Sequence, residues 1–445
     1  MSPLLSLVSE GPDPTPAELI AARPQLRMHA MDGLLFDDVP LHRIADAVGT
    51  PCWVYSAATM RDRAGTLADA LRGAGLDAQL HYAVKANDRL AVLHLFAQQG
   101  VGADVVSEGE LRRARAAGIP AHHIVFSGVG KSERELRLAL EEDIGQINVE
   151  SAEELDILSA LAVSLGRTAR VALRVNPDVD AGTHAKISTG RAQDKFGIPY
   201  DDAAALYARA AGLPGIQPVG LATHIGSQVL ALAPFRAAFA RIADLVRTLR
   251  QAGHAVDTVD CGGGLGIPYR NEPAPSPAGL AAAIRAAFHN LNVRVMLEPG
   301  RWLVGPAGVL LSSVVLVKQA GDGRFVVLDA AMNDLVRPAM YDAWHGIVPL
   351  SAVDALGALS PADIVGPVCE SGDTFARDRL LPPLAREARV AILDAGAYGS
   401  VMSSAYNARP PAAEVMVDGG QWSVIRPRQT HADLWRDECI PNSPR

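Results

Sequence analysis

The chain has 445 residues, 49% of them hydrophobic and 20% charged, and 41 Lys+Arg against 49 Asp+Glu leave a formal net charge of −8. An acidic balance of this size excludes a basic nucleic-acid binder on electrostatic grounds, and the length leaves room for two domains with sizeable cores. Four cysteines, Cys52, Cys261, Cys369 and Cys439, lie far apart with no CxxC pair, so each reads as a free thiol and neither a disulfide framework nor a thiolate metal site is expected. Met1–Glu10 has no basic residue before its short apolar stretch, and no apolar run approaches the roughly 18 residues needed to cross a bilayer. The expectation is a cytoplasmic protein without a membrane or nucleic-acid partner.

Residues 1–26 carry Pro12, Pro14, Pro16 and Pro24 without clear periodicity and read as a mobile arm. Residues 49–303 are expected to form an α/β barrel, because short apolar runs rich in β-branched residues alternate with stretches that suit amphipathic helices. The runs are Gln79–Val84, Ala103–Val106, His123–Phe126, Gln146–Val149, Val171–Val175, Gly220–Thr223, Thr258–Asp260 and Arg294–Leu297, separated by helix-compatible segments such as Glu108–Ala117 and Ala152–Leu165. Eight βα units are the number that closes a barrel of this kind. After Trp302 the texture changes: Val309–Val317 and Phe325–Leu328 read as strands around the turn Ala320–Gly323. Residues 27–48 and 304–445 are therefore assigned to a second, mostly β domain, Greek-key or sandwich-like, with a further strand candidate at Cys52–Tyr55.

In a βα barrel the chemistry sits where strands run into loops. The first strand ends in Tyr82–Asn87, which puts Lys85 at the barrel mouth with an apolar strand behind it. Such a setting depresses an amine's pKa and readies it for covalent attachment to an aldehyde cofactor. Later strands run into His224–Ser227, Gly262–Gly266 and Glu298–Arg301, three polar or glycine-rich turns gathered at one rim. Backbone N–H groups of Gly263 and Gly264, helped by a following helix N-terminus, form a cradle for a phosphate. A phosphate-bearing aldehyde would unite Lys85 with that cradle.

These motifs, with Asp104–Leu111, Arg174–Pro177, Lys195–Gly197, Cys369–Asp373 and Gly396–Gly399 in the same order, make the sequence similar to the fold-type III pyridoxal-phosphate (PLP) decarboxylases, and within them to the diaminopimelate decarboxylases. The resemblance runs from about Leu35 to near the C-terminus. It implies that Lys85 bonds the cofactor, that His224 stacks on its ring, and that Ser227, Gly263, Gly264, Gly300 and Arg301 surround phosphate and ring, with Asp104 lining the ring. It places Glu298 at the pyridine nitrogen, where a carboxylate keeps that nitrogen protonated and the ring a strong electron sink, whereas racemases of similar fold carry an arginine there.

The resemblance further implies a homodimer with shared sites, in which Cys369 from the partner protonates the carbanion and Glu370 touches the far end of the substrate. A distal carboxylate and a distal ammonium must each be paired when desolvated. Arg301, Arg337 and Tyr341 match the carboxylate clamp, Glu370 the ammonium partner, and Tyr398 reaches cofactor and substrate. The implied reaction is decarboxylation of meso-2,6-diaminopimelate to L-lysine. The alternatives are a decarboxylase of D-ornithine, D-lysine or carboxynorspermidine, or a non-catalytic PLP-binding regulatory protein. The segment Thr183–Gly190, with His184 and Lys186, is similar to the loop over the family's active site and is expected to exclude water. Departures from the pattern are the proline-containing arm, Cys261 before the glycines, and the C-terminal Arg428–His431.

Overall fold

The computed structural model describes residues 12–181, 195–321 and 323–441. The chain divides into two compact units: one of Thr59–Ile267 and Pro273–Gly305, the other of the residues through Ala58 with Pro268–Glu272 and Pro306–Arg445.

The first unit is a closed parallel barrel. Among the described residues its ring is made of eight strands, Ala78–Ala83, Gly102–Val105, Ile124–Phe126, Gln146–Val149, Ala169–Asn176, Ile216–Ala222, Thr258–Asp260 and Arg294–Leu297, with the short Ile198–Pro199 added beside Ala169–Asn176. Ala169–Asn176 pairs in parallel with both Gln146–Val149 and Ile216–Ala222, which closes the ring. The helices outside it start where the local chemistry says they should. Ser107, Ser132, Ser151 and Ser276 each accept the N–H three residues on and so cap the helices Glu108–Ala116, Glu133–Glu141, Ala152–Leu165 and Pro277–Phe288. Gly166, at φ 62°, ends Ala152–Leu165 in the left-handed conformation that glycine adopts without cost. With helices on the outer face and side chains filling the inner one, most strand positions are buried and apolar.

The second unit is mostly β. Its main sheet runs in the order Thr374–Leu381, Ser360–Val365, Gly323–Leu328, Gly308–Ala320, Cys52–Ser56, Ala413–Asp418, Gln421–Arg426, with Arg389–Ile392 and Ile347–Pro349 branching from Gly308–Ala320. The predicted hairpin is present, Val317 facing Val326 across antiparallel strands. A core of Leu34, Phe36, Leu41, Ile44, Val54, Val309, Leu311, Val348, Leu393 and Val415 is shared with the small sheet Leu26–His29, Gly33–Phe36, Val39–Pro40. No helix among the described residues is long and apolar enough to cross a membrane.

Two expectations are corrected here. The described part of the expected arm is structured: Thr15 and Glu18 form a reciprocal cap on the helix Pro16–Ala21, and Leu19 is buried in the core. Arg23 is also buried, donating from Nε to Asp394 Oδ2 at 2.8 Å and from Nη2 to the Tyr269 carbonyl at 2.9 Å. Pro16 at the first helical position is a helix starter, although in a proline-rich stretch it reads as a breaker. The expected barrel boundary at residue 49 also moves, because Cys52–Ser56 pairs antiparallel with Gly308–Ala320 and parallel with Ala413–Asp418. All five of its residues are buried, so by composition it is indistinguishable from a barrel strand.

Removing one partner of a buried ion pair strands the other charge. Arg23→Met is therefore expected to cost about 3 kcal/mol, read by denaturant unfolding. A loss below about 1 kcal/mol, the value of an exposed pair, would show that the N-terminal segment adds little to the fold.

Candidate active site

The C-terminal ends of the barrel strands bring together Lys85, Asp104, His224, Ser227, Gly263, Gly264, Glu298, Gly300 and Arg301. Lys85 lies in the turn Val84–Ala86 just beyond its strand, and its Nζ is 2.7 Å from Oδ2 of the fully buried Asp104. The amine therefore meets a carboxylate, where the sequence suggested a purely apolar backing.

His224 accepts the Gly263 N–H at Nδ1 across 3.1 Å, which fixes the tautomer that carries its proton on Nε2. Burial, then the nearby charges of Arg174 and Lys85, hold its pKa well below the usual histidine range, so the ring is neutral. The same bond engages one of the two expected cradle donors. The Gly262 and Gly263 N–H groups are donated inward, to Asp260 Oδ1 at 2.9 Å and to His224. No helix follows the glycines directly; the next begins at Pro277, and the short helix at this rim is Arg301–Val304 after Gly300. What the glycines do supply is close approach. Gly264 has φ +101°, and a Cβ there would come 2.5 Å from the Gly226 carbonyl, so the two rim loops touch backbone to backbone. Arg301, also buried, donates from Nη2 to Ser227 Oγ at 3.1 Å.

Glu298 is buried and accepts from Ser127 Oγ at 3.3 Å and from Asn148 Nδ2 at 3.2 Å. Asn148 Nδ2 also lies 3.2 Å from Asp260 Oδ2, and its Oδ1 accepts from Gln146 Nε2 at 2.8 Å. Burial, followed by the charges of Asp104 and Asp260, pushes the Glu298 carboxyl well above the usual range. Burial pushes Asp260 up as well. The sequence reading expects a carboxylate beside a ring nitrogen, and these surroundings raise the proton affinity of that carboxyl. Asn148, Asp260 and Ser127 were missed. The signal for Asn148 is the polar alternation Gln146, Asn148, Glu150 along and just past a barrel strand, where every second side chain faces inward. Glu150 anchors the end of the loop before the Ile198–Pro199 strand, accepting from Arg174 at 2.7 Å and from the Gly197 N–H at 3.1 Å. The expected covering segment Thr183–Gly190, with His184 and Lys186, lies outside the described residues.

The remaining predicted residues lie on three loops of the β unit. Arg337 is buried at the start of the helix Arg337–Tyr341, its guanidinium 5.0 Å from the Tyr269 ring centroid and its Nη1 2.8 Å from His345 Nε2. Tyr341, half-buried, closes that helix. Cys369 and Glu370 are exposed on a second loop. Tyr398, at φ 56°, is half-buried on a third. Cys52 and Cys261, by contrast, are buried, and desolvation pushes the Cys52 thiol up to about 12.

Residues 58–305 match the family model described as pyridoxal-dependent decarboxylase, pyridoxal binding domain. The chain belongs to the pyridoxal-dependent decarboxylases. It is 51% identical over 408 residues to the diaminopimelate decarboxylase of Zymomonas mobilis, covering 91% of this chain and 96% of that protein. It is 47% identical to the enzyme of that name from Pseudomonas aeruginosa, over 92% of this chain and 97% of that one. A crystal structure of diaminopimelate decarboxylase from Helicobacter pylori complexed with L-lysine superimposes with a TM-score of 0.86 at 39% identity, covering 89% of this chain and 99% of that one.

The barrel residues suit the family's cofactor. Lys85 is about one-third exposed, so its amine is reachable. Asp104 Oδ1 is buried with no hydrogen-bond partner among the described residues, and the Glu298 carboxyl is held in a form that gains from a ring nitrogen as partner.

Glu110, another residue the sequence did not single out, accepts the Val106 N–H at 2.9 Å, and burial pushes its carboxyl up to about 7. A folded pKa above the ordinary 4.5 means the native state holds the extra proton, so this stabilisation is full below the unfolded pKa and lost as pH rises through about 7. Glu110→Gln mimics the protonated form. Relative to the parent it should gain on the order of 1–3 kcal/mol at about pH 8.5 and nothing near pH 4.5, by denaturant unfolding at both. An equal change at both pH values would contradict the shift.

Proposed function

We propose that this chain decarboxylates meso-2,6-diaminopimelate to L-lysine and CO2 with pyridoxal 5'-phosphate as cofactor, the last step of lysine biosynthesis, as a cytoplasmic homodimer. The observation that carries the reading is the likeness over nine-tenths of the chain, 51% identical across 91% of it, to a relative named for this activity. Glu298 supports the reaction type, since an acidic partner at the ring nitrogen suits carbanion storage better than the arginine of similar racemases.

The cofactor supplies an electron sink for the pair released as CO2 leaves. The protein's own groups do the rest. Lys85 would hold the cofactor through its amine, and Asp104, 2.7 Å from Lys85 Nζ, would keep that side chain in place as an ammonium when it is not so engaged. Neutral His224 offers its ring face without adding positive charge, while Ser227, Gly263, Gly264, Gly300 and Arg301 enclose phosphate and ring. Glu298 would share a proton with the ring nitrogen. Arg301, Arg337 and the Tyr341 hydroxyl pair with the distal carboxylate, and Glu370 pairs with the distal ammonium, because each desolvated charge is costly unless matched. Tyr398 borders cofactor and substrate. Cys369, contributed by the other subunit of the dimer, delivers a proton to the carbon that has lost CO2, so neither subunit holds a complete site.

The test is an end-point assay of PLP-loaded protein with meso-diaminopimelate, L- and D-ornithine, and L- and D-lysine, reading CO2 and products by mass. Lysine from diaminopimelate alone supports the reading; CO2 only from the monocarboxylates would overturn the distal clamp. Lys85→Ala should abolish the visible cofactor absorbance. Cys369→Ala should keep that absorbance and lose about a hundredfold or more of turnover, the range for a positioned acid. Normal turnover in Cys369→Ala would remove the proton-donor role.

A further inference from the structure

The loop that carries Cys369 and Glu370 has a carboxylate behind it with no part in the chemistry above. Asp373 is buried, yet each of its oxygens takes a backbone proton: Oδ1 from the Met332 N–H and Oδ2 from the Val368 N–H, both at 2.7 Å. Val368 immediately precedes Cys369, and Met332 begins the segment that leads into Arg337. Charge-assisted bonds of this length are strong and directional, so one side chain ties two loops together at fixed spacing. The carboxylate packs directly on the Gly366 backbone, where an added Cβ would collide with Asp373 Oδ2.

A second tie holds Cys369 itself. Its N–H donates to Asn407 Oδ1 at 2.9 Å, and Asn407 sits at φ 57°, a left-handed conformation that asparagine tolerates better than most residues. The Asn407 loop is in turn bonded to the first segment, Ser404 N–H to the Asn333 carbonyl at 2.8 Å. The three loops that carry Arg337, Cys369 and Asn407 are thus joined pairwise.

We infer that Asp373 and Asn407 are positioning residues for Cys369, with Asp373 also setting the spacing between Cys369 and Arg337. The functional consequence rests on the decarboxylase reading above; the geometric one does not. A proton donor must meet one carbon within a fraction of an ångström, and a misplacement of about 1 Å costs up to about a hundredfold in rate. Neither residue touches substrate in this scheme; both act through Cys369, and Asp373 also through the segment that carries Arg337.

The experiment compares holoenzyme with Asn407→Gly and Asp373→Asn. Glycine accepts the left-handed backbone while removing the amide, and asparagine keeps only one acceptor oxygen. Iodoacetamide alkylation of Cys369 is followed by peptide mass, with exposed Cys439 as internal reference. In Asn407→Gly, kcat should fall about tenfold with KM within about twofold, because only proton delivery is disturbed. In Asp373→Asn, kcat should fall and KM rise, each by about threefold or more, because the Arg337 segment is released as well. Both variants should alkylate at Cys369 at least about threefold faster, with Cys439 and the cofactor absorbance unchanged. Alkylation and kinetics within about twofold of the parent in folded variants would overturn the inference. Asn407→Gly alone decides if Asp373→Asn fails to fold. Should the parent not act on diaminopimelate, faster alkylation would still support the positioning, and the decarboxylase reading alone would fail.

Discussion

Asp104, Asp260 and Glu298 are three buried carboxyls at one end of the barrel, and the ammonium of Lys85 is bonded to the first of them. Burying unmatched charge is prohibitive, so such a set exists only if it is paired, bridged or protonated. All three solutions are used. Lys85 pairs with Asp104, the Asn148 amide bridges Asp260 and Glu298, and burial pushes Glu298 and Asp260 toward their protonated forms. In the proposed chemistry a ring nitrogen sharing Glu298's proton would replace part of the hydration this carboxyl gave up on folding. The closed barrel is what permits this, because inward-facing positions on adjacent strands are held at fixed spacing.

The β unit meets a different constraint. Its proposed contributors sit on loops and one short helix outside the sheets, and their order comes largely from side chains that reach into loop backbone. Asp373, Asn407 and Asn333, whose Nδ2 donates to the Ser404 carbonyl, serve there as caps and strand pairs serve elsewhere. Arg337 is oriented in the same way: His345 Nδ1 faces the Leu393 carbonyl at 2.8 Å, which leaves Nε2 as the acceptor for the arginine.

Much of the barrel was legible. Strands such as Gln146–Val149, Thr258–Asp260 and Arg294–Leu297 coincide with their expected limits, and the helix Ala152–Leu165 does too, because a serine cap before it and a glycine after it mark both ends. The rim residues were legible because strand ends and glycine turns locate them. The rest depended on partners distant in sequence. Arg23 meets Asp394 across 371 residues, and nothing local announces that. Cys52–Ser56 reads as a strand but not as a strand of a particular sheet. The Gly263 N–H looked available for a phosphate until His224 was seen to take it. Glu298 was legible as a position but not as a protonation state, since that depends on Asp104 and Asp260, which come from other strands.

The most direct measurement is the infrared difference spectrum of the protein before and after loading with pyridoxal phosphate at neutral pH, for the parent and Glu298→Gln. A protonated-carboxyl carbonyl band in the cofactor-free parent, altered by loading and diminished in the variant, is the predicted result. A cofactor-free spectrum with no such band would show that the buried carboxyls are all ionised, and would contradict the network on which the proposed chemistry stands.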